Sequence, residues 1–465
     1  MAGEDQPGGV RPCFRLPGGG RPREARCGLC LAARPSAAPR CLITLGIVTT
    51  HPLSPCARVR TRAVNDPGRL VDLFPDERGP LCWVRESEGL VGWGEAARLR
   101  CRGPNRFAEA DAWWRVFADR LQVSDEVGMP GSGAVAFASF TFGPDSDESV
   151  LVVPQVVVGR RNGVGWITEI DTGSGLGRSP LMRRMTPVRP ATGIRYGEGM
   201  LPVQRWRGAV AEAVRRMRNG DLFKAVFAHD LLATADESLD PRYLLRELAH
   251  RYPTCWSYSV DGLVGATPEL LLRRTGTRVE SRVLAGTNWL GHLADDESGA
   301  ALLASGKDRE EHRYAMESMV ARLAPLCVEV HAPAEPSVLR LPNVTHLSSD
   351  ITATLDPTDP PSLLRLTGAV HPTAAVGGTP TEPALALIAE LEEMDRGRYA
   401  GPVGWVDSRG DGELGLALRC AQLNGPTARL FAGVGVVADS DPDVEVAEAE
   451  AKLVAVRSAL EGRPT

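Results

Sequence analysis

Apolar residues recur in two distinct rhythms along the chain, and the shorter rhythm dominates. Residues 41–49, 81–84, 150–158, 256–260, 262–266 and 270–273 are short runs rich in Val, Leu, Trp and Tyr, punctuated by Gly, Pro and Asp, and they read as strands. A glycine-rich segment, 130–142, precedes the apolar run at 150–158, and the two together suggest paired strands. The longer rhythm marks helices. Residues 107–121 place Trp113, Trp114, Phe117 and Leu121 on one side, and residues 206–219 do the same with Val210, Val214 and Met217 before Asn219-Gly220 stops them. A strand over 223–231 follows at once, so Lys224 sits at a strand entrance directly after a helix stop.

The second half alternates in the same way. Helices are expected over 241–252, 295–304, 308–326, 381–394 and 444–460, with closing strands over 413–423 and 427–437. There is no internal repeat and no regular βαβ succession. The expected class is therefore α+β, with large antiparallel sheets packed as a β-sandwich core and helices outside. Residues 1–40, rich in Gly, Pro, Arg and Ala without a hydrophobic period, are expected to be disordered or an over-extended gene start. One catalytic domain is expected over 41–465.

Composition narrows the function classes. With 465 residues, 43% of them hydrophobic, the chain can bury a sizeable core, and its formal net charge of −5 without a long run of one sign does not suit a nucleic-acid partner. The ten cysteines are scattered, and the close pair Cys27 and Cys30 has no second pair at zinc-site spacing. No apolar run approaches the roughly 18 residues of a spanning helix. A cytoplasmic protein with free thiols and no membrane contact is expected.

One count changes the picture. Of 53 basic residues, only Lys224, Lys307 and Lys452 are lysine. A GC-rich genome accounts for the arginine background, but arginine keeps its proton whereas a lysine can be tuned to lose it, so the three exceptions are candidates for proton transfer or for a compact point charge. Glutamates stand near two of them, Lys307 and Lys452, and one more is displayed at a turn. Glu269 follows a Pro turn between two strands; Glu311 lies in the segment Lys307 to His312; and Glu445, Glu448 and Lys452 fall on one face of the last helix. If the two helix starts converge, they form an oxygen-ligand site suited to Mg²⁺. His346 and His371 have no metal-ligand spacing, and the glycines of 369–380 and 432–435 suit a close backbone approach to an anion.

Taken in order, these segments resemble the chorismate-utilising enzyme family, over about residues 206–460. The markers are Lys224 in Gly-Asp-Leu-Phe-Lys, Ala-Thr-Pro-Glu269, Leu284-Ala-Gly-Thr287, Asp308 to His312, Thr345-His346-Leu347 and the segment from His371 to Gly378. They continue with Arg396 to Trp405, Leu418-Arg-Cys-Ala421, Ala432 to Gly435 and Asp439 to Lys452. The resemblance implies that chorismate is bound through Mg²⁺ on Glu311 and Glu448, with Asp308 and Glu445 behind them. It implies Lys224 as the base that takes a proton from water attacking C2, and Glu269 as the acid that protonates the departing C4 hydroxyl, giving isochorismate. Such a pair asks for an amine free of its proton and a carboxyl that keeps one. Tyr399 and Arg419 resemble residues that grip the enolpyruvyl carboxylate, assisted by the amides near Gly433 and Gly435, with Thr287, His346 and Lys452 also at the substrate.

Within the family, ammonia-using relatives carry Gln at the position of Lys224, and aminodeoxychorismate synthases carry a lysine nucleophile where this chain has Ala285. Lysine at 224 therefore favours water, and no obligatory glutaminase subunit is expected. The alternatives are salicylate formation, in which pyruvate elimination follows, and a non-catalytic chorismate-binding member. Three positions depart from the family pattern: His229 and Leu290 where arginine is usual, and Ala449 where threonine is usual.

Overall fold

Three times an apolar run is interrupted in mid-course, and at each interruption the chain passes from one sheet to another. In the computed structural model, which describes residues 48–49, 57–171, 185–289, 295–341 and 344–463, the described residues belong to one compact unit, Gly46–Thr465. Among them lie an eleven-stranded and a thirteen-stranded sheet. Strand Ser149–Val153 belongs to the smaller sheet and Val156–Arg161 to the larger, with Pro154 between. Strand Leu263–Thr267 belongs to the larger sheet and Leu270–Thr275 to the smaller, with Pro268 and Glu269 between.

The third crossing corrects the sequence expectation. The run 413–423 is not one strand but two, Gly412–Leu416 in the smaller sheet and Cys420–Asn424 in the larger. Arg419, between them, adopts a left-handed φ of 47°. The strand expected at 150–158 divides in the same manner. Proline explains the first two breaks, since it cannot donate to a sheet ladder.

Pairing is antiparallel among the described strands except between Arg58–Val64 and Gln122–Asp125. The longest ladders are those that carry candidate residues. Lys224–Thr234 pairs with Thr427–Val437 from Lys224 opposite Val437 to Thr234 opposite Thr427, and Arg278–Trp289 pairs with Val344–Thr354. One apolar cluster joins the facing sides of the two sheets, including Trp83, Leu90 and Tyr258 from the larger and Phe137, Trp405 and Leu414 from the smaller. A second cluster lies on the other side of the larger sheet, where helices Val203–Arg218, Pro241–Arg251, Thr381–Leu391 and Pro442–Glu461 cover it. The expected sandwich with external helices is what the chain forms.

The two helices that carry the acidic candidates start for local reasons. Ser305 Oγ accepts from the Asp308 backbone N–H at 3.2 Å and opens helix Gly306–Leu323, while Asp441 accepts from the Asp443 N–H at 2.8 Å and opens Pro442–Glu461. Pro442 sits in the first turn, and Gly462 closes the helix at a φ of 65°. No helix among the described residues is long and apolar enough to cross a membrane.

Candidate active site

A cavity opens where both long ladders meet two of the three sheet crossings, those at Pro268-Glu269 and at Arg419. Of the residues singled out from sequence, Glu269, Thr287, Glu311, His346, Tyr399, Arg419, Gly433, Gly435 and Lys452 line it. Lys224 and Glu448 do not line it but contact the lining residues Glu311 and Lys452, while Asp308 and Glu445 lie at the two helix starts outside the lining. Lys224 is fully buried, with Nζ 3.1 Å from Oε1 of Glu311. That approach lies within ion-pair distance but off the line a hydrogen bond requires, so the buried amine has no hydrogen-bond partner among the described residues. Glu448 reaches the cavity through Lys452, whose Nζ is 2.6 Å from Oε1 of Glu448 and donates to the Gly433 carbonyl at 2.8 Å.

The strand Lys224–Thr234 explains part of the lining. Side chains alternate across a sheet, so Val226 and Ala228 share the face of Lys224 and contribute the apolar wall. Ala225, Phe227 and His229 take the other face. His229, one of the departures from the family pattern, lies there with its ring 5.5 Å from that of Trp206, away from the cavity. Ala449 is buried in the helical layer, and Leu290 lies outside the described residues.

Glycine is required at two lining positions by close approach. A Cβ on Gly435 would stand 2.1 Å from Oε1 of Glu311 and 3.3 Å from Cε of Lys224; one on Gly433 would stand 2.6 Å from the Tyr399 hydroxyl. Tyr399 in turn stacks on Phe431 with ring centroids 4.9 Å apart. Gly286, at a φ of 74°, forms the bulge in the ladder between Ala285 and Thr287, and lets the Asp308 backbone pack against it.

Electrostatics separates the carboxyl groups. Glu269 is buried at the crossing, and loss of water pushes its carboxyl up to about 8 against the pull of the Leu284 backbone and of Lys224 and Lys452. It therefore holds a proton at neutral pH. Asp308 and Glu445 are also raised, first by burial and then by neighbouring carboxylates: Glu311 and Glu448 act on Asp308, and Glu448 acts on Glu445. Lys307 Nζ bridges to Oε1 of Glu445 at 3.0 Å, which ties the starts of the two helices together. The convergence that the sequence left open does occur.

That donor set suits a small divalent cation. Four carboxyl groups gather, two of them raised in part by the charge of the other two, and Oε2 of Glu445 is buried without a hydrogen-bond partner. Among the described residues no three His, Cys, Asp or Glu side chains form a ready metal-ligating group. Mg²⁺ needs no such group, since it binds through one or two carboxylates and completes its shell with water or substrate oxygens.

Sequence reasoning placed Leu284, Val376 and Arg396 in marker segments without giving them a role, and missed Phe431; all four line the cavity. Arg396 carries structural weight. Buried against Glu392 at 2.6 Å, it donates to the carbonyls of Val226 and Val376 and so holds two walls of the cavity at a fixed spacing. Val226 and Ala228 could have been found from their period-two spacing to Lys224. His371 lies elsewhere, donating from Nε2 to the Phe142 carbonyl, 3.0 Å away.

Residues 186–461 match the family model described as chorismate binding enzyme. The MenF protein of Mycobacterium tuberculosis (strain ATCC 25618 / H37Rv) is 43% identical over 257 residues, covering 52% of this chain and 68% of that protein. The salicylate biosynthesis isochorismate synthase of Pseudomonas aeruginosa is 31% identical over 424 residues, 85% of this chain and 88% of that protein. Among solved structures, DhbC of Bacillus anthracis superposes with a TM-score of 0.69 at 28% identity, covering 84% of this chain and 98% of that one.

Proposed function

Because the chain belongs to the chorismate-binding enzyme family, we propose that it is an isomerase converting chorismate to isochorismate with Mg²⁺, using Lys224 as base and Glu269 as acid. The observation that carries the reading is the placement of Glu269, a carboxyl buried in the cavity lining, where loss of water pushes it up to about 8 and favours its protonated form. A proton donor there serves a leaving hydroxyl. Relatives named as isochorismate synthases supply the reaction class.

In this reading a water oxygen bonds to C2 of the ring, and its proton passes to Lys224. The ring double bonds shift, the C4 to oxygen bond breaks, and Glu269 gives its proton to the departing hydroxyl, which leaves as water. One water enters and one leaves, so the reaction is an isomerisation. Arg419 and Tyr399 hold the enolpyruvyl carboxylate, with the backbone at Gly433 and Gly435 close by. Thr287, His346 and Lys452 fix the ring and its substituents, and Val226 and Ala228 keep bulk water from the apolar face. Glu311 and Glu448 would hold Mg²⁺, with Asp308 and Glu445 behind them; bound there, the cation supplies positive charge to the ring carboxylate. Water as nucleophile calls for no glutaminase subunit.

The test is product analysis. The full chain incubated with chorismate and Mg²⁺ is expected to yield isochorismate and no pyruvate. Salicylate with pyruvate replaces this reading with synthesis of salicylate, and unchanged chorismate overturns catalysis altogether.

A further inference from the structure

Arg419 is a buried cation at the cavity wall, and its neighbours determine which way it points. Its backbone takes a left-handed φ of 47° at the crossing between two sheets, and the Tyr258 hydroxyl donates to the carbonyl of Leu418 next to it at 2.9 Å. Nη2 of Arg419 lies 2.9 Å from Nε2 of His346, while Nη1 is buried with no hydrogen-bond partner among the described residues. On its other side, Nδ1 of His346 lies 3.1 Å from the Thr287 hydroxyl.

These contacts fix the protonation of the imidazole. A guanidinium can only donate, so Nε2 of His346 must carry a lone pair, and the ring proton belongs on Nδ1, towards Thr287. Burial, reinforced by the charges of Arg419 and Lys452, holds the ring well below its ordinary pKa. An imidazolium would offer Arg419 no acceptor and would place two cations together. His346 therefore has no proton on Nε2 to give to a substrate at neutral pH, and it is poorly suited to acid catalysis.

We infer that His346 is a positioning residue, whose bare Nε2 takes one arm of Arg419 and leaves the Nη1 arm to meet a carboxylate of the substrate. The inference rests on the reading of the cavity as a chorismate site. It also accounts for the pairing of a neutral ring with a cation in a buried wall: the ring satisfies one donor edge and leaves the other for the ligand.

Two substitutions separate this role from simple wall packing. Gln at 346 can place an oxygen near the position of Nε2, whereas the shorter Asn reaches only as far as Nδ1. On a Glu269→Gln background, which prevents turnover, chorismate affinity with Mg²⁺ present is read by calorimetry. His346→Gln is expected to stay within about threefold of the parent, and His346→Asn to weaken binding about 10- to 100-fold, the range for a hydrogen bond to a charged group. Equal losses in both, or full affinity in His346→Asn, overturn the inference. The ¹⁵N spectrum of the wild-type chain without ligand gives an independent result. A proton on Nδ1 and a bare Nε2 support the inference; an Nε2–H tautomer or an imidazolium overturns it. Because neither measurement reads product, a chain that binds chorismate but does not form isochorismate overturns the reaction and leaves the positioning role standing or falling on its own.

Discussion

Nζ of Lys224 stands 3.1 Å from Oε1 of Glu311, so the candidate base and a candidate magnesium ligand meet behind the cavity wall. Both are buried, and each is the other's nearest countercharge. Replacing Lys224 with Gln removes the group proposed to accept the water proton while keeping a polar side chain beside Glu311. Turnover is expected to fall about 10²- to 10⁴-fold, the usual weight of a general base, with chorismate binding retained. Turnover within a few-fold of wild type would remove Lys224 from the mechanism.

Gly435 makes that meeting possible. A Cβ there would lie 2.1 Å from Oε1 of Glu311 and 3.3 Å from Cε of Lys224, so Gly435→Ala must push the carboxylate aside. Backbone strain is not at issue, because Gly435 lies within a regular ladder opposite Val226. The expected result is at least a tenfold loss of turnover with the thermal unfolding midpoint lowered by only a few degrees. Unaltered turnover would show that the pair need not be placed as found.

Glu269 sets a pH dependence of definite sign. Its carboxyl is raised from 4.5 to about 8, so the proton it is proposed to give is lost as pH rises through about 8, and turnover should decline there. Stability follows the same linkage. The folded chain holds this proton while the unfolded chain releases it above 4.5, so the contribution is fully present below 4.5 and is lost as pH rises to about 8. Glu269→Gln avoids that loss. Its unfolding midpoint relative to wild type should rise between those limits and level off beyond them, while turnover collapses. A constant difference across the range would mean that Glu269 is ionised throughout.

Glu448 lies 2.6 Å from Lys452 and repels Asp308 and Glu445, all in the region proposed to hold the cation. Glu448→Gln should raise the magnesium concentration for half-maximal turnover about 10- to 100-fold. An unchanged requirement would place the ligands elsewhere.

Much of this was legible in the sequence because local rules govern it. The helix stop at Asn219-Gly220 and the Pro turn before Glu269 each follow from neighbouring residues, whereas the two acidic helices, expected from 308 and 444, begin two residues earlier at Gly306 and Pro442. The sheet crossing at Arg419 was not legible. Leu414, Leu416, Leu418, Cys420 and Ala421 continue one apolar run, and periodicity does not register a strand that changes sheets without a proline. Contacts between distant segments were also hidden. Nothing near Lys224 announces Glu311, and nothing near His346 announces Arg419, since each pair is brought together only when the sheets close. The resemblance to chorismate-utilising enzymes named these residues, but their pairing came from the fold.

The central claim is that this cavity adds water at C2 of chorismate, and isotope labelling tests it most directly. The full chain is incubated with chorismate and Mg²⁺ in H₂¹⁸O, and the product is resolved by mass spectrometry and NMR. The account predicts isochorismate carrying one ¹⁸O from solvent in its C2 hydroxyl; isochorismate without solvent oxygen, or chorismate recovered unchanged, would contradict it.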